Sequence, residues 1–149
     1  MIYIECPNKT KSFKPSVFLA GGITNCPQWQ IKLIELIKDL NLIVFNPRRK
    51  VFPIDDPNEA PAQIKWEHDM LSRATIISFW FCKETDCPIA LYELGSVVSL
   101  KKPILVGIDP GYPRRIDIEI QLRIKRPDIK ICYSIEELSK QIIECHSTL

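Results

Sequence analysis

Short apolar runs alternate with longer stretches of helical spacing along most of this chain. The first run, Ser16–Ala20 (SVFLA), is ended by Gly21-Gly22. Thr24 or Asn25 can then cap a helix with Trp29, Leu33, Leu36, Ile37 and Leu40 along one face. Asn41 stops that helix, Leu42–Phe45 (LIVF) reads as a second buried strand, and Asn46-Pro47 closes it. Met1–Lys14 is mixed in pattern, a peripheral strand or an extended arm, and no chemistry is assigned to it.

Arg48–Pro61 holds three prolines with Asp55, Asp56 and Asn58, so it reads as a long loop. Helical spacing returns over Ala62–Ala74, with Ile64, Glu67, Leu71 and Ala74 on one inward face. Thr75–Cys82 (TIISFWFC) is β-branched and aromatic throughout, as a central parallel strand buried on both faces should be. Pro88 suits the first position of a helix, which therefore starts near Cys87 or Pro88. At about 100° per residue, Glu93 in that helix shares a face with Ile89, Ser96, Val97 and Leu100.

Lys102-Pro103 leads into another buried strand, Ile104–Ile108, and Asp109-Pro110-Gly111 makes a turn. Arg114–Ile124 fits helix and strand equally. Ile129–Tyr133 reads as the last strand. Ser134 with Glu137 forms a capping box for a closing helix with Ile135, Leu138, Ile142 and Ile143. Strands alternating with helices imply an α/β fold, a doubly wound parallel sheet of about five strands with helices on both faces. Ligands of such sheets bind outside the carboxyl ends of the strands, where the strand order reverses. The Gly21-Gly22 turn, the Asn46–Lys50 loop and the start of the Glu93 helix gather there.

Bulk composition changes this picture little. A chain of 149 residues with 46% hydrophobic and 26% charged content is long enough for one folded domain, residues 1–149, with a core of its own. The net charge of +2 is too small for a protein that coats nucleic acid, although Arg48, Arg49 and Lys50 form a local basic cluster. Six cysteines occur without a CxxC pair and only two histidines accompany them, so no metal site is expected. No apolar run is long enough to span a bilayer, and no basic region followed by an apolar core opens the chain. A reduced, cytoplasmic protein with no membrane partner is the expectation.

Candidate chemistry rests on two inward carboxylates, Glu93 and Glu67. Such a pair suits cleavage of a glycosidic bond, one acid attacking the anomeric carbon while the other helps the leaving group depart. Glu93, in the early turns of its helix, gains from the helix dipole and is the better nucleophile. Glu67 would then supply or relay the proton to the departing base, a role that needs a raised pKa. The competing reading makes both acids structural, bonded to backbone or paired with Arg48 or Arg49. Asp69 points about 200° away from Glu67 and ranks below it. Gly21-Gly22 serves either turn geometry or the close approach of a sugar or phosphate, and Arg48 and Arg49 are either solvated charges or phosphate ligands. Trp66, Trp80 and Phe81 are assigned to the core before base stacking. Cys82 and Cys87 lack an inward histidine to activate them, and His68 faces away from Glu67.

Five segments taken together resemble the nucleoside 2-deoxyribosyltransferase family and its close relatives. They are FLAGGIT at Phe18–Thr24, FNPRR at Phe45–Arg49, QIKWE at Gln63–Glu67, FWF at Phe79–Phe81 and CPIALYELG at Cys87–Gly95. The resemblance runs from about Val17 to Gly107. It implies a flavodoxin-like sheet, no cofactor, and a homo-oligomer whose sites are completed by a neighbouring subunit. The partners it implies are small molecules, a nucleoside or nucleotide and a free nucleobase, with no nucleic acid polymer. Glu93 of the ELG motif would form a covalent deoxyribosyl-enzyme, and Glu67 would assist at the base or orient the sugar. Gly21, Gly22, Asn46, Arg48, Arg49, Asp69 and Asp86 are the candidate substrate contacts. Phe18 stands where such transferases carry a first-strand tyrosine. Base exchange by a transferase is the leading expectation. The alternatives are a nucleoside 5′-monophosphate N-glycosidase, which hydrolyses the same bond, and a nucleotide-binding sensor without turnover.

Overall fold

The computed structural model describes residues 1–53 and 55–149; Ile54, inside the expected Arg48–Pro61 loop, lies outside the described residues. In chain order the elements are β1 (Ile2–Glu5), β2 (Ser16–Gly21), α1 (Trp29–Leu36), β3 (Ile43–Asn46), α2 (Glu59–Arg73), β4 (Ile76–Phe81), α3 (Pro88–Val97), β5 (Ile104–Ile108), α4 (Arg115–Lys125), β6 (Ile131–Cys132) and α5 (Ile135–Ser147). The strands form one parallel sheet in the order β1-β3-β2-β4-β5-β6. Removing β1 leaves the flavodoxin order, so the fold is the doubly wound α/β architecture that the β–α alternation implies. β1, with its Ile-Tyr-Ile-Glu alternation, adds a sixth strand outside β3.

Every residue of β4 is buried, as is β2 up to Ala20. These central strands lie between helices, which is why their sequence is apolar on both faces. Phe18 and Phe45 pack on Trp66 with ring centroids 6.3 Å away in each pair, and Phe79 stacks on Phe81. Trp66, Trp80 and Phe81 all belong to the core. The order of the sheet reverses at β2, whose neighbours are β3 and β4, so a crevice opens beyond the carboxyl ends of β2 and β4.

Several local expectations are corrected. α1 starts at Trp29 with Gln28 as N-cap, four residues later than a Thr24 cap and three later than an Asn25 cap would place it. Asn25 is left-handed (φ 55°) and Pro27 follows, so the chain turns once more before the helix forms. α2 starts at Glu59, because Pro61 falls in its first turn, where no intrahelical N–H is lost. Its buried side is Trp66, Met70 and Leu71, while Ile64 is 56% exposed. The ambiguous 114–124 segment is helix α4. β6 is shorter than the Ile129–Tyr133 run and pairs only through Ile131 and Cys132. Ser134 does cap α5, accepting from the Glu137 N–H at 3.1 Å, and the Glu137 carboxylate accepts from the Tyr133 N–H at 2.8 Å.

The expectation of reduced cysteines is corrected at one pair. Cys26 and Cys82 form a disulfide across 56 residues of sequence. The β2–α1 loop and the end of β4 meet only in the folded sheet, so no spacing rule could pair them. Cys6, Cys87, Cys132 and Cys145 are free. No helix among the described residues is long and apolar enough to cross a membrane.

Candidate active site

The turn at the end of β2 leaves no room for side chains. Gly21 has φ 152°, and a Cβ there would run into the Trp80 carbonyl oxygen and come within 2.7 Å of Trp29. A Cβ on Gly22 would lie 2.6 Å from the Cys82 sulfur and 2.8 Å from that of Cys26. The Gly22 carbonyl points inward and accepts from Trp29 Nε1 at 2.9 Å. Both glycines are therefore required by the fold of the turn, whatever lies on its other side.

Across the crevice, Cys87 adopts a left-handed conformation (φ 47°) at the N-cap of α3, and Pro88 follows at the first helical position. Leu91 N–H closes the first turn on the Cys87 carbonyl. Ala90, Leu94 and Val97 form the buried side of α3. Ile89 is 65% exposed and Ser96 is also exposed, so of the face expected around Glu93 only Val97 is buried. Glu93 sits at the border of the two sides, which turns its carboxylate toward the crevice.

A cavity of about 550 Å³ fills the crevice. Gly21, Gly22, Thr24 and Asn25 line one wall and Arg49 with Phe52 a second; Gln63 and Ile64 come from α2, and Thr85, Ile89 and Glu93 complete it. That size suits a ligand of nucleoside dimensions. Burial, and after it the charge of Glu67, pushes the Glu93 carboxyl up to about 8. Burial also raises Glu67, whose charged form is favoured in turn by a hydrogen bond from Gln63. The helix dipole was expected to help keep Glu93 ionised against the rise that burial causes, but the rise prevails. Glu93 is the sixth residue of α3, beyond the first turn in which the dipole acts, and desolvation dominates there.

Of the other sequence candidates, Gly21, Gly22 and Arg49 reach the cavity wall. Arg49 is paired with Glu59 and lies over the Phe52 ring, 5.4 Å from its centroid. Arg48 is spent on backbone instead, donating to Pro27 O at 2.8 Å and Cys26 O at 2.9 Å, and so ties the Cys26 loop to the end of β3. Asn46 is buried; it donates to Tyr3 Oη at 2.9 Å and accepts from the Arg48 N–H at 3.0 Å. Asp69 is exposed and away from the cavity lining, and Asp86 is exposed too, its carbonyl accepting from Tyr112 Oη at 2.7 Å. Phe18, on β2, is fully buried against Trp66 and brings no hydroxyl to the cavity, and Tyr92 is 66% exposed.

Sequence reasoning missed Phe52, Gln63, Ile64 and Thr85. Gln63 was legible only as part of QIKWE, four residues before Glu67 and hence on the same side of a helix. Ile64 and Ile89 were read as core residues; as exposed apolar side chains on the cavity wall, they offer a surface for the flat face of a base. β1, to which no chemistry was assigned, braces the site from outside, since Glu5 accepts from the Lys50 N–H at 3.0 Å. Burial raises the Cys87 thiol, which keeps it protonated. Glu84 approaches the sulfurs of Cys26 and Cys82, but joined in a disulfide these offer no thiolate to a metal.

An open parallel sheet with Glu93 on the wall of the crevice at its topological switch point, and Glu67 off the cavity lining but hydrogen-bonded to the cavity-wall residue Gln63, defines a flavodoxin-like α/β protein with a carboxylate-bearing ligand cleft. Residues 14–112 match the family described as Nucleoside 2-deoxyribosyltransferase like, and the chain belongs to that family. The family is typically enzymatic, of glycosyl-transferring type, with nucleoside or nucleobase substrates. A search of curated proteins returned no match.

Proposed function

We propose that this chain is a nucleoside 2-deoxyribosyltransferase, folded as a single domain, that exchanges the base of a 2′-deoxynucleoside through a covalent deoxyribosyl-Glu93. The observation that carries the reading is Glu93 on the wall of a nucleoside-sized cavity, with Glu67 hydrogen-bonded to the cavity-wall residue Gln63. Two coupled carboxyls in a low-dielectric cleft resist ionising together, so across neutral pH the pair holds one proton. That proton rests on Glu93; its transfer to Glu67 leaves Glu93 ionised to attack the anomeric carbon. The glycosidic bond breaks, and the departing base takes the proton from Glu67. An acceptor base then attacks the same carbon, releases Glu93 and returns a proton to Glu67. Two displacements at one carbon give overall retention.

A nucleoside is favoured over a 5′-monophosphate because Arg48 is held on the Pro27 and Cys26 carbonyls and the charge of Arg49, on the cavity wall, is paired with Glu59, which weakens the attraction for a phosphate. The test is incubation with deoxyinosine and adenine, followed by chromatography. Deoxyadenosine should form, and acid-quenched intact mass should show a deoxyribosyl adduct that Glu93→Ala lacks. Release of hypoxanthine with no deoxyadenosine assigns hydrolysis instead, and no turnover across a nucleoside panel refutes both.

A further inference from the structure

The amide of Gln63 is a cavity-wall group that the proposed chemistry leaves unused. It lies one turn before Glu67 on α2, and its Nε2 donates in two directions, to the Pro47 carbonyl oxygen at 2.7 Å and to Glu67 Oε1 at 2.8 Å. Its Oε1 is buried and without a partner among the described residues. A buried oxygen stripped of water and given no donor is a cost to the fold. The orientation therefore does not serve Gln63 itself.

The neighbours impose it. A peptide carbonyl can only accept, and a carboxylate accepts through either oxygen. Turning the amide over would set Oε1 against both acceptors and break two hydrogen bonds. Pro47 follows β3 directly, so the amide is pinned to the sheet edge on one side and to the acid on the other. It thereby distinguishes the two oxygens of Glu67. Oε1 is occupied by a donor, and a proton held by this carboxyl belongs on Oε2, since the oxygen that accepts a hydrogen bond is the one left unprotonated.

Resting on the transferase reading above, we propose that Gln63 is a positioning residue that reserves Glu67 Oε2 for the proton delivered to the departing base. Without the amide, nothing distinguishes the two oxygens of Glu67, and the proton is shared between them. Loss of Gln63 then slows only those reactions in which the leaving group must be protonated. A 2-deoxyribosyl pyridinium, which departs as neutral pyridine, needs no proton and supplies the control.

The experiment compares the full chain with its Gln63→Leu variant, which keeps the side-chain volume and removes the amide, on deoxyinosine and on a 2-deoxyribosyl pyridinium. Gln63→Leu should lower kcat on deoxyinosine by 10- to 100-fold, with KM within about twofold. Its rate on the pyridinium should stay within about twofold of wild type. Equal losses on both substrates, or no loss on deoxyinosine, overturn the proposal. Gln63→Asn retains an amide too short to span both acceptors and should show a smaller loss with the same substrate pattern. It decides the question if Gln63→Leu does not fold. A wild-type chain inactive on both substrates refutes the transferase reading itself, whereas an active wild type with an unselective Gln63→Leu refutes only the role of Gln63.

Discussion

Glu93 is costly to the fold, and replacing it by its neutral isostere should stabilise the protein in a pH-dependent way. Its carboxyl rises from the ordinary 4.5 to about 8, chiefly through burial. Between those values the folded state holds a proton that the unfolded chain releases. The contribution of Glu93 is fully present below about pH 4.5, falls as pH rises through the window, and levels off above about pH 8. Integrating the two titrations gives a ceiling of about 1 kcal/mol lost at pH 5, about 3 kcal/mol at pH 7 and about 5 kcal/mol at pH 9. Contact of the carboxylate with water on the cavity side lowers these figures. For a chain of this size, 1 kcal/mol corresponds to about 2–4 °C in Tm. Glu93→Gln should therefore melt within a few degrees of wild type at pH 5 and higher by on the order of 5–10 °C at pH 8 to 9. Circular-dichroism melts at pH 5, 7 and 9 measure it. A Tm difference that stays flat across this range, or a variant less stable than wild type at pH 9, refutes the assignment of Glu93 as a desolvated acid coupled to Glu67. Stability gained together with complete loss of base exchange would mark Glu93 as kept for chemistry at the expense of folding energy.

Activity should be lost on the alkaline side, because the coupled acids give up their shared proton near pH 8; kcat/KM on deoxyinosine should fall about tenfold for each pH unit above this, and a rate still rising at pH 9 excludes a proton-sharing pair. Gly21→Ala forces a Cβ at φ 152° into the Trp80 carbonyl and should cost at least about 3 kcal/mol in urea unfolding; a loss below about 1 kcal/mol would show that the turn can open without moving β4. Denatured without reductant, the chain should titrate four thiols, and with reductant six, because Cys26 and Cys82 are joined; six thiols in both samples would remove the disulfide.

Much of the site was legible because its signals are local. A strand ended by two glycines, a proline opening a helix, and an acid four residues after a glutamine each mean something at fixed sequence spacing. Which way a helix turns is less local. Ile64 and Ile89 obey the apolar periodicity of α2 and α3, yet stand 56% and 65% exposed, because the faces that carry them look into the cavity and not into the sheet. The dipole argument for Glu93 failed for a similar reason: distance along the helix is local, but the desolvation that outweighed it comes from other elements.

The sequence by itself determined the alternation of elements and the parallel architecture, since apolar runs of strand length joined by helical spacers admit little else. α4 marks the limit. Ile116, Ile118, Ile120, Leu122 and Ile124 alternate as a strand would, but the segment is a helix with only Ile118 and Leu122 buried among them. β5 and β6 are parallel neighbours, so the chain between them must cross over, and a helix bridges that span with its backbone hydrogen bonds satisfied. The tertiary structure also decided the strand order, the Cys26–Cys82 bond, the diversion of Arg48 to loop carbonyls and the pairing of Gln63 with Glu67. Each joins groups whose meeting depends on how the sheet closes, a property of the whole chain and not of any window within it.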